Sequence, residues 1–511
     1  MTFTSPAFLL FLPLTLLIYY IAPKKLQNAV LLAANLLFYW FALPAGSFLG
    51  KNVMPLCLFA ASAIFTYCIA RRIAQNPSNK KALLAISILA LLLVLAAFKY
   101  GNYLLPVLAG PDFLFKLAFP LGISYYTFMS VSYLVDVYRG DIPAEGSFVR
   151  FFVFVSFFGS ITMGPICRAS AILPALHTER HFSPQTAADA ARILLIGAFK
   201  QVAVANVLGL SVDYIFQNSA SYRGLTLIFA ALFYSAQLYY QFSGYSDIAV
   251  GVGMLFGLTL PQNFKTPYFA TNFSGFWARW HISLSSWLQD YVFMPLVWGK
   301  WTSHIPVLGK RVQKPPMISS VAIVFLVSGL WHGNALAFFV WGCLMAAYRV
   351  GEELLHKYYK KPQKKPSLPL RIFKSASVYV LWSAGLVFFW FGSAENGLAK
   401  ALAMFRDMGT GLFAANPAAD FAAAIQNGFY PKPVMVAFYV AFMAVVLAAA
   451  VLMDWWQCFK LRDRHISTAL ANLPVLPRWL CYYALLGVIL LAFLMQSGGY
   501  GGNIQSPYAG F

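Results

Sequence analysis

The chain has 511 residues, of which 60% are hydrophobic and only 10% charged, with a formal net charge of +21 and a mean hydropathy of +0.67. Soluble domains are typically about half apolar and a quarter charged, so a soluble enzyme is excluded and an all-α polytopic integral membrane protein is expected, with one membrane domain over residues 1–511. The basic surplus is spread over loops and forms no compact module, which excludes a nucleic-acid-binding domain and points to an anionic lipid bilayer as partner.

Taken in chain order, apolar stretches begin near Ala7, Asn28, Met54, Leu83, Phe152, Arg192, Leu225, Ile248, Ile318, Ala335, Ser375, Val434 and Tyr482. These amount to roughly a dozen transmembrane helices. The segments Leu104 to Phe128 and Phe276 to Val297 are too interrupted for simple spans and read as re-entrant or interfacial helices. The first stretch, Phe8 to Ile21, has no basic residue before it and no small-residue cleavage site after it, so it reads as a retained helix, not a signal peptide. Lys24 and Lys25 then place the following loop in the cytoplasm and the N-terminus outside. The next loops alternate as this requires, with Lys51 in one and Arg71, Arg72, Lys80 and Lys81 in the other. Basic blocks within residues 353–374 and from Lys460 to Arg464 read as cytoplasmic. Residues 375–496 supply the C-terminal helices, the segment Asn396 to Tyr430 suits an external loop, and residues 497–511 form an external tail. Both termini are thus expected on the outer side of the membrane.

Six cysteines occur without a CxxC pair, and seven histidines are scattered with none at metal-ligand spacing. No metal and no bound cofactor are expected. The chain shows no P-loop, dinucleotide fingerprint or GxSxG elbow, and no two halves that resemble each other.

Three polar clusters stand out against this apolar background. Gln237, Tyr240, Tyr245 and Asp247 interrupt one stretch, reading either as a broken helix at Gly244 lining a cavity or as a loop with a capping Asp. The second cluster, Phe276 to Ser285, contains Trp277, Arg279, Trp280 and His281; it reads either as an amphipathic helix in the headgroup region or as part of a site. The third is Trp331-His332-Gly333-Asn334, inside a run from Met317 to Tyr348 that contains no Asp, Glu or Lys, and no Arg. An ionisable group held in such a run is costly, so His332 is either bonded to a backbone carbonyl or functional.

As an ordered set these residues resemble the membrane-bound O-acyltransferase (MBOAT) superfamily, and within it the bacterial branch that acylates polysaccharides. The resemblance rests on Trp331-His332-Gly333, the Arg279-Trp280-His281-Ile282-Ser283-Leu284 motif about fifty residues earlier, and Phe242-Ser243-Gly244-Tyr245-Ser246-Asp247. Further matches are Phe119 to Tyr126, Val135 to Gly140, Gly164-Pro165 and Pro261 to Tyr268; the resemblance covers Phe8 to Tyr348. It implies that His332 is the general base and that His281 orients or polarises the acyl group. An imidazole with an ordinary pKa of about 6.5 can take a proton from an attacking hydroxyl at neutral pH. The tail ends Ser506-Pro507-Tyr508-Ala509-Gly510-Phe511, which resembles the Pro-Tyr-x-x-Phe terminus of this branch and implies Tyr508 as acyl carrier. A phenol leaves more readily than an aliphatic alcohol, so an acyl-tyrosine is a good donor to a serine.

The resemblance further implies acetyl-CoA as a cytoplasmic donor and a periplasmic SGNH-type O-acetyltransferase as partner. Peptidoglycan is the first expectation for the glycan, with alginate or another exopolysaccharide as the alternative; D-alanyl transfer to teichoic acid fits less well. Residues 297–316 depart from the alginate-type pattern, being longer and basic. A lipid-linked sugar flippase or transporter, or a scaffold for a soluble acyltransferase, remains as a reading from another class.

Overall fold

In lipid, backbone groups must be satisfied within the chain, which favours helices wherever the sequence is apolar. The structure, a computed structural model, describes residues 2–44, 50–75, 78–109, 119–298, 306–307, 310–311, 317–333, 335–358, 367–412, 416–428 and 433–497. These are helical almost throughout; the β pairing among them is a two-residue antiparallel contact of Pro306–Val307 with Lys310–Arg311. Among the described residues six helices are long and apolar enough to cross a membrane, and Pro6–Ile21 and Met317–His332 are shorter apolar helices. The expected all-α polytopic architecture is therefore found.

Three details of the expected layout change. The stretch near Phe152 is a nine-residue helix, Phe148–Ser156, too short to cross a bilayer. The two starts at Leu225 and Ile248 belong to one 32-residue helix, Gly224–Leu255, so neither a break at Gly244 nor a loop there exists. Gly244 serves packing: a Cβ at this position would lie 2.8 Å from the Gly197 carbonyl oxygen and 2.9 Å from the Gln201 nitrogen. Finally, the described parts of Leu104 to Phe128 belong to two neighbouring helices. The first part continues the helix Lys80–Ala109 and the last part opens the helix Ile123–Arg139, while residues 110–118 lie outside the described residues.

The described chain divides into two compact units, one of residues 1–194 and 246–262, the other of residues 195–245 and 263–509. In the first, Phe11 and Phe38 pack on Phe158 with ring centroids 5.3 and 5.6 Å away, and Asn35 donates to the Ser156 hydroxyl at 3.0 Å. Arg180 is the polar centre of this unit, only 6% exposed. Its guanidinium donates to the Tyr19 hydroxyl, to Asn28 Oδ1 and to the Ala175 carbonyl. Gln27 closes a reciprocal pair with its backbone, accepting from Arg180 N at 3.1 Å and donating to Arg180 O at 2.8 Å. Tyr19 in turn donates to Phe256 O. A buried cation is tolerable only when its donors are satisfied in this way.

In the second unit, the helices Met317–His332 and Leu336–Tyr358 cross through two glycines. A Cβ on Gly329 would lie 2.8 Å from Phe338 O and 3.1 Å from Gly342 Cα, and one on Gly342 would lie 2.8 Å from Phe325 O. Small residues at such a crossing let backbones approach and replace the hydrophobic drive that lipid removes.

Arg180→Met is expected to leave the acceptors on Tyr19, Asn28 and Ala175 without their charged donor. The variant should lose about 3 kcal/mol of stability, read as a fall in melting temperature in detergent; an unchanged melting temperature would contradict the role given to Arg180.

Candidate active site

His332 is the last residue of its helix, and the glycine crossing determines what surrounds it. Because Gly329 and Gly342 bring the two helices together, Phe338 and Trp341 of the second helix meet the imidazole, with centroids 6.3 and 5.1 Å away. The helix Leu368–Trp390 supplies Phe389 at 4.8 Å, edge-on, and Trp331 adds a ring at 4.5 Å. Gly333 and Gly392 allow Phe338 to sit where it does, since a Cβ on either would lie 2.6 Å or less from its ring. The result is an aromatic collar around a half-buried imidazole.

His281 is placed by a different device. The chain from Phe273–Trp277 turns at His281 into the helix Ile282–Leu288, and His281 takes φ +45° and ψ 53° there. A non-glycine residue in the left-handed region carries a cost of order 1–3 kcal/mol and persists only where its surroundings hold it. Asn263 does the holding. Its carbonyl oxygen Oδ1 accepts from Ser283 N at 3.1 Å and from the Ser283 hydroxyl at 2.9 Å, and lies 3.2 Å from His281 Nδ1. Its backbone carbonyl accepts from Ile282 N at 2.9 Å. Because a backbone N–H must donate, the atom facing His281 is an acceptor, which makes Nδ1 the protonated nitrogen and leaves the Nε2 lone pair available. His281 is 4% exposed, and burial pushes its pKa well down, so the neutral ring is the resting form.

The two histidines are joined through a tryptophan wall. Trp280, next to His281, packs on Trp382 at 4.8 Å, and Trp277 and Trp382 each lie 6.4 Å from Trp341, which edges His332. Trp280 and Trp287 are each 5% exposed, so these rings line the interior and the headgroup-belt reading of this cluster fails. The path from Phe273 through Trp298 is broken into short helical pieces, none of them long enough to cross a bilayer. Beside it lies a crevice of about 420 Å³, bounded by Trp277, Ile282, Ser285, Met317, Ser328 and Arg349. It follows the helix from Met317 to Ser328, about 16 Å at 1.5 Å per residue, and stops one turn short of His332.

The other candidates fall elsewhere. Gln237 donates to Asp213 Oδ1 at 3.0 Å, and Tyr240 donates to Asp454 Oδ2 at 3.1 Å; both are buried structural partners. Arg279 bridges to Asp463 Oδ1 at 3.0 Å and to Lys265 O at 3.1 Å, locking the loop that carries Asn263. Tyr245 and Asp247 are half-buried on later turns of the helix Gly224–Leu255. Trp331 belongs to the collar, whereas Asn334 and Tyr508 lie outside the described residues. Sequence reasoning passed over Asn263, Trp341, Phe389 and Glu352. Glu352 Oε2 accepts from Phe273 N at 2.8 Å and Ser274 N at 3.2 Å, capping the helix Phe273–Trp277. Asn263 had a legible signal in the polar stretch Pro261 to Pro267; the other three were hidden in apolar or mixed helices. Among the described residues no group of three or more His, Cys, Asp or Glu is arranged to hold a metal ion.

Asn263, His281 and His332 fall inside a family match. Residues 28–372 match the membrane-bound O-acyltransferase family. A probable alginate O-acetylase of Azotobacter vinelandii is 35% identical over 355 residues, 67% of this chain and 66% of that protein. A peptidoglycan O-acetyltransferase of Helicobacter pylori is 30% identical over 383 residues, 67% of this chain and 68% of that protein. A teichoic acid D-alanyltransferase of Bacillus subtilis is 28% identical over 253 residues, 48% of this chain and 62% of that protein. The matched region spans about two thirds of the length of the alginate relatives, 66% and 64% in the Azotobacter and Pseudomonas aeruginosa proteins. With most of its length inside the family match and relatives at this level of identity, the chain belongs to the membrane-bound O-acyltransferase family.

Proposed function

We propose that this protein is an O-acetyltransferase of the bacterial inner membrane that moves acetyl from cytoplasmic acetyl-CoA to a periplasmic partner, for O-acetylation of a cell-envelope glycan. The observation that carries the reading is the approach of the crevice along Met317 to Ser328 to within a turn of the collared imidazole of His332. In this reading the crevice takes a narrow thioester arm toward the base, and the aromatic collar keeps bulk water, which would otherwise hydrolyse the donor, from the imidazole. The basic stretches that flank the helices Met317–His332 and Leu336–Tyr358 support a cytoplasmic mouth, and the charge bias of the loops after the first and before the last helix favours both termini in the periplasm.

In this mechanism the Tyr508 hydroxyl attacks the thioester carbonyl and His332 takes the phenolic proton. The C–S bond breaks, the thiolate leaves, and the proton on His332 returns to it as CoA-SH. His281, neutral with Nδ1–H held on Asn263, presents its Nε2 lone pair and positions the reacting groups. The acyl-tyrosine then passes its acetyl to the serine of an SGNH-type O-acetyltransferase, regenerating the phenol. Peptidoglycan is the glycan favoured by the fused Pro-Tyr-x-x-Phe tail. Alginate or another exopolysaccharide is the second reading, supported by the identities of 32–35% to probable alginate O-acetylases. Acetyl content of isolated sacculi and of secreted polysaccharide, with and without the gene, separates the two.

His332→Ala is expected to abolish acetylation and CoA release while the protein still inserts and purifies; normal release from that variant would overturn the assignment of the base. Asn263→Ala should keep the fold but release the left-handed turn at His281. A loss of at least about tenfold in CoA release is expected, as for a removed hydrogen-bonding partner of an acid–base group, and full activity would show that the tautomer of His281 is irrelevant.

A further inference from the structure

A second crevice in the same unit has no part in the acyl-transfer scheme. It measures about 750 Å³ and opens along the helices Leu368–Trp390 and Pro433–Phe459. Its inner wall is formed by Tyr240, Tyr268 and Tyr379, and its rim by Val451, Phe459 and Arg371. The three phenols look polar in sequence, but each hydroxyl is engaged inside the protein. Tyr240 donates to Asp454, Tyr268 to Ser235 O at 2.6 Å, and Tyr379 to Leu232 O at 2.7 Å. The wall therefore offers ring faces and edges, suited to an apolar chain.

The mouth has the opposite character. Arg371 is exposed, with its guanidinium 5.6 Å from the centroid of the Phe459 ring. Lys374 lies one turn further along the same helix, and Lys460 directly follows Phe459; both are exposed. The acids closest to this end in sequence are already committed, Asp454 to Tyr240 and Asp463 to Arg279 and Thr266. An apolar slot at membrane depth that ends under a cluster of cations has the chemistry of a phospholipid with an anionic headgroup.

We propose that this crevice is a specific binding site for an anionic phospholipid of the leaflet at its basic end, phosphatidylglycerol in type. One acyl chain lies against Tyr240, Tyr268 and Tyr379, and the phosphodiester sits on Arg371 with Lys374 and Lys460 beside it. The proposal is independent of the acyl-transfer reading, because none of these residues contacts His332 or His281 in the scheme above. It differs from general attraction of basic loops to a charged surface in requiring a shaped slot and one particular arginine.

The test is native mass spectrometry of the purified full chain in detergent, with equimolar dioleoyl phosphatidylglycerol and dioleoyl phosphatidylcholine. Phosphatidylglycerol adducts should exceed phosphatidylcholine adducts by about fivefold, because both carry the phosphodiester but the choline cation of the second cancels its charge and is repelled by the basic mouth. Arg371→Gln should bring the two lipids to equal retention. Ala376→Trp, which fills the slot from its lining, should remove the adducts of both. Lys400→Gln, on the helix Gly397–Gly409, serves as a charge control and should retain the wild-type preference. Equal retention of the two lipids by the wild type, or a wild-type preference in Arg371→Gln, would overturn the proposal. Should Ala376→Trp lower the melting temperature and fail to fold, Arg371→Gln, an exposed conservative change, still decides it.

Discussion

The crossing of Met317–His332 over Leu336–Tyr358 at Gly329 and Gly342 is the contact on which the site depends. Lipid gives helices little hydrophobic reason to associate, so close backbone approach has to provide it. That approach also determines the environment of His332. With the helices this close, Phe338 and Trp341 reach the imidazole from one side and Phe389 from another. A larger residue at either glycine would push the second helix outward and open the collar. The same substitution that weakens packing would thus admit water to the imidazole.

Near this crossing several polar side chains are matched inside the protein and hold the backbone that carries His281. Asn263 concentrates several donors on one oxygen and so determines both the backbone of His281 and its tautomer. Arg279 and Asp463 hold the loop that carries Asn263, and Glu352 caps the helix that leads to Trp277. The segment from Phe273 to Trp298 is therefore held by side chains, since its short helical pieces cannot satisfy their own ends. Arg180 plays the corresponding part in the first unit, where one guanidinium and the Gln27 amide hold the loop beyond Ala175 to the first helices.

Much of this was legible in the sequence. Hydropathy was sufficient for an all-α membrane protein, and the uncharged run around His332 marked that residue by cost alone. His281 stood in a polar, aromatic cluster, but composition could not decide between a headgroup belt and a site; the burial of Trp280 and Trp287 decides for the interior. The polar run from Gln237 to Asp247 misled for a physical reason. Its side chains bond to Asp213 and Asp454, which are distant in sequence, so local pattern reads as interruption what tertiary pairing makes an ordinary helix. Helix count suffered similarly, because a mostly buried 32-residue helix and two adjacent spans have the same hydropathy. The collar residues Trp341 and Phe389 could not be singled out from apolar neighbours, as nothing in a single sequence records which face meets an imidazole.

The central claim, that the acetyl group passes through the tail tyrosine under the control of His332, is tested most directly by locating the label. Purified protein incubated with radiolabelled acetyl-CoA should yield a C-terminal peptide carrying acetyl on Tyr508, and the label should be absent in His332→Ala. Absence of label together with absence of CoA release in the wild type, or label on Tyr508 that persists in His332→Ala, would contradict it.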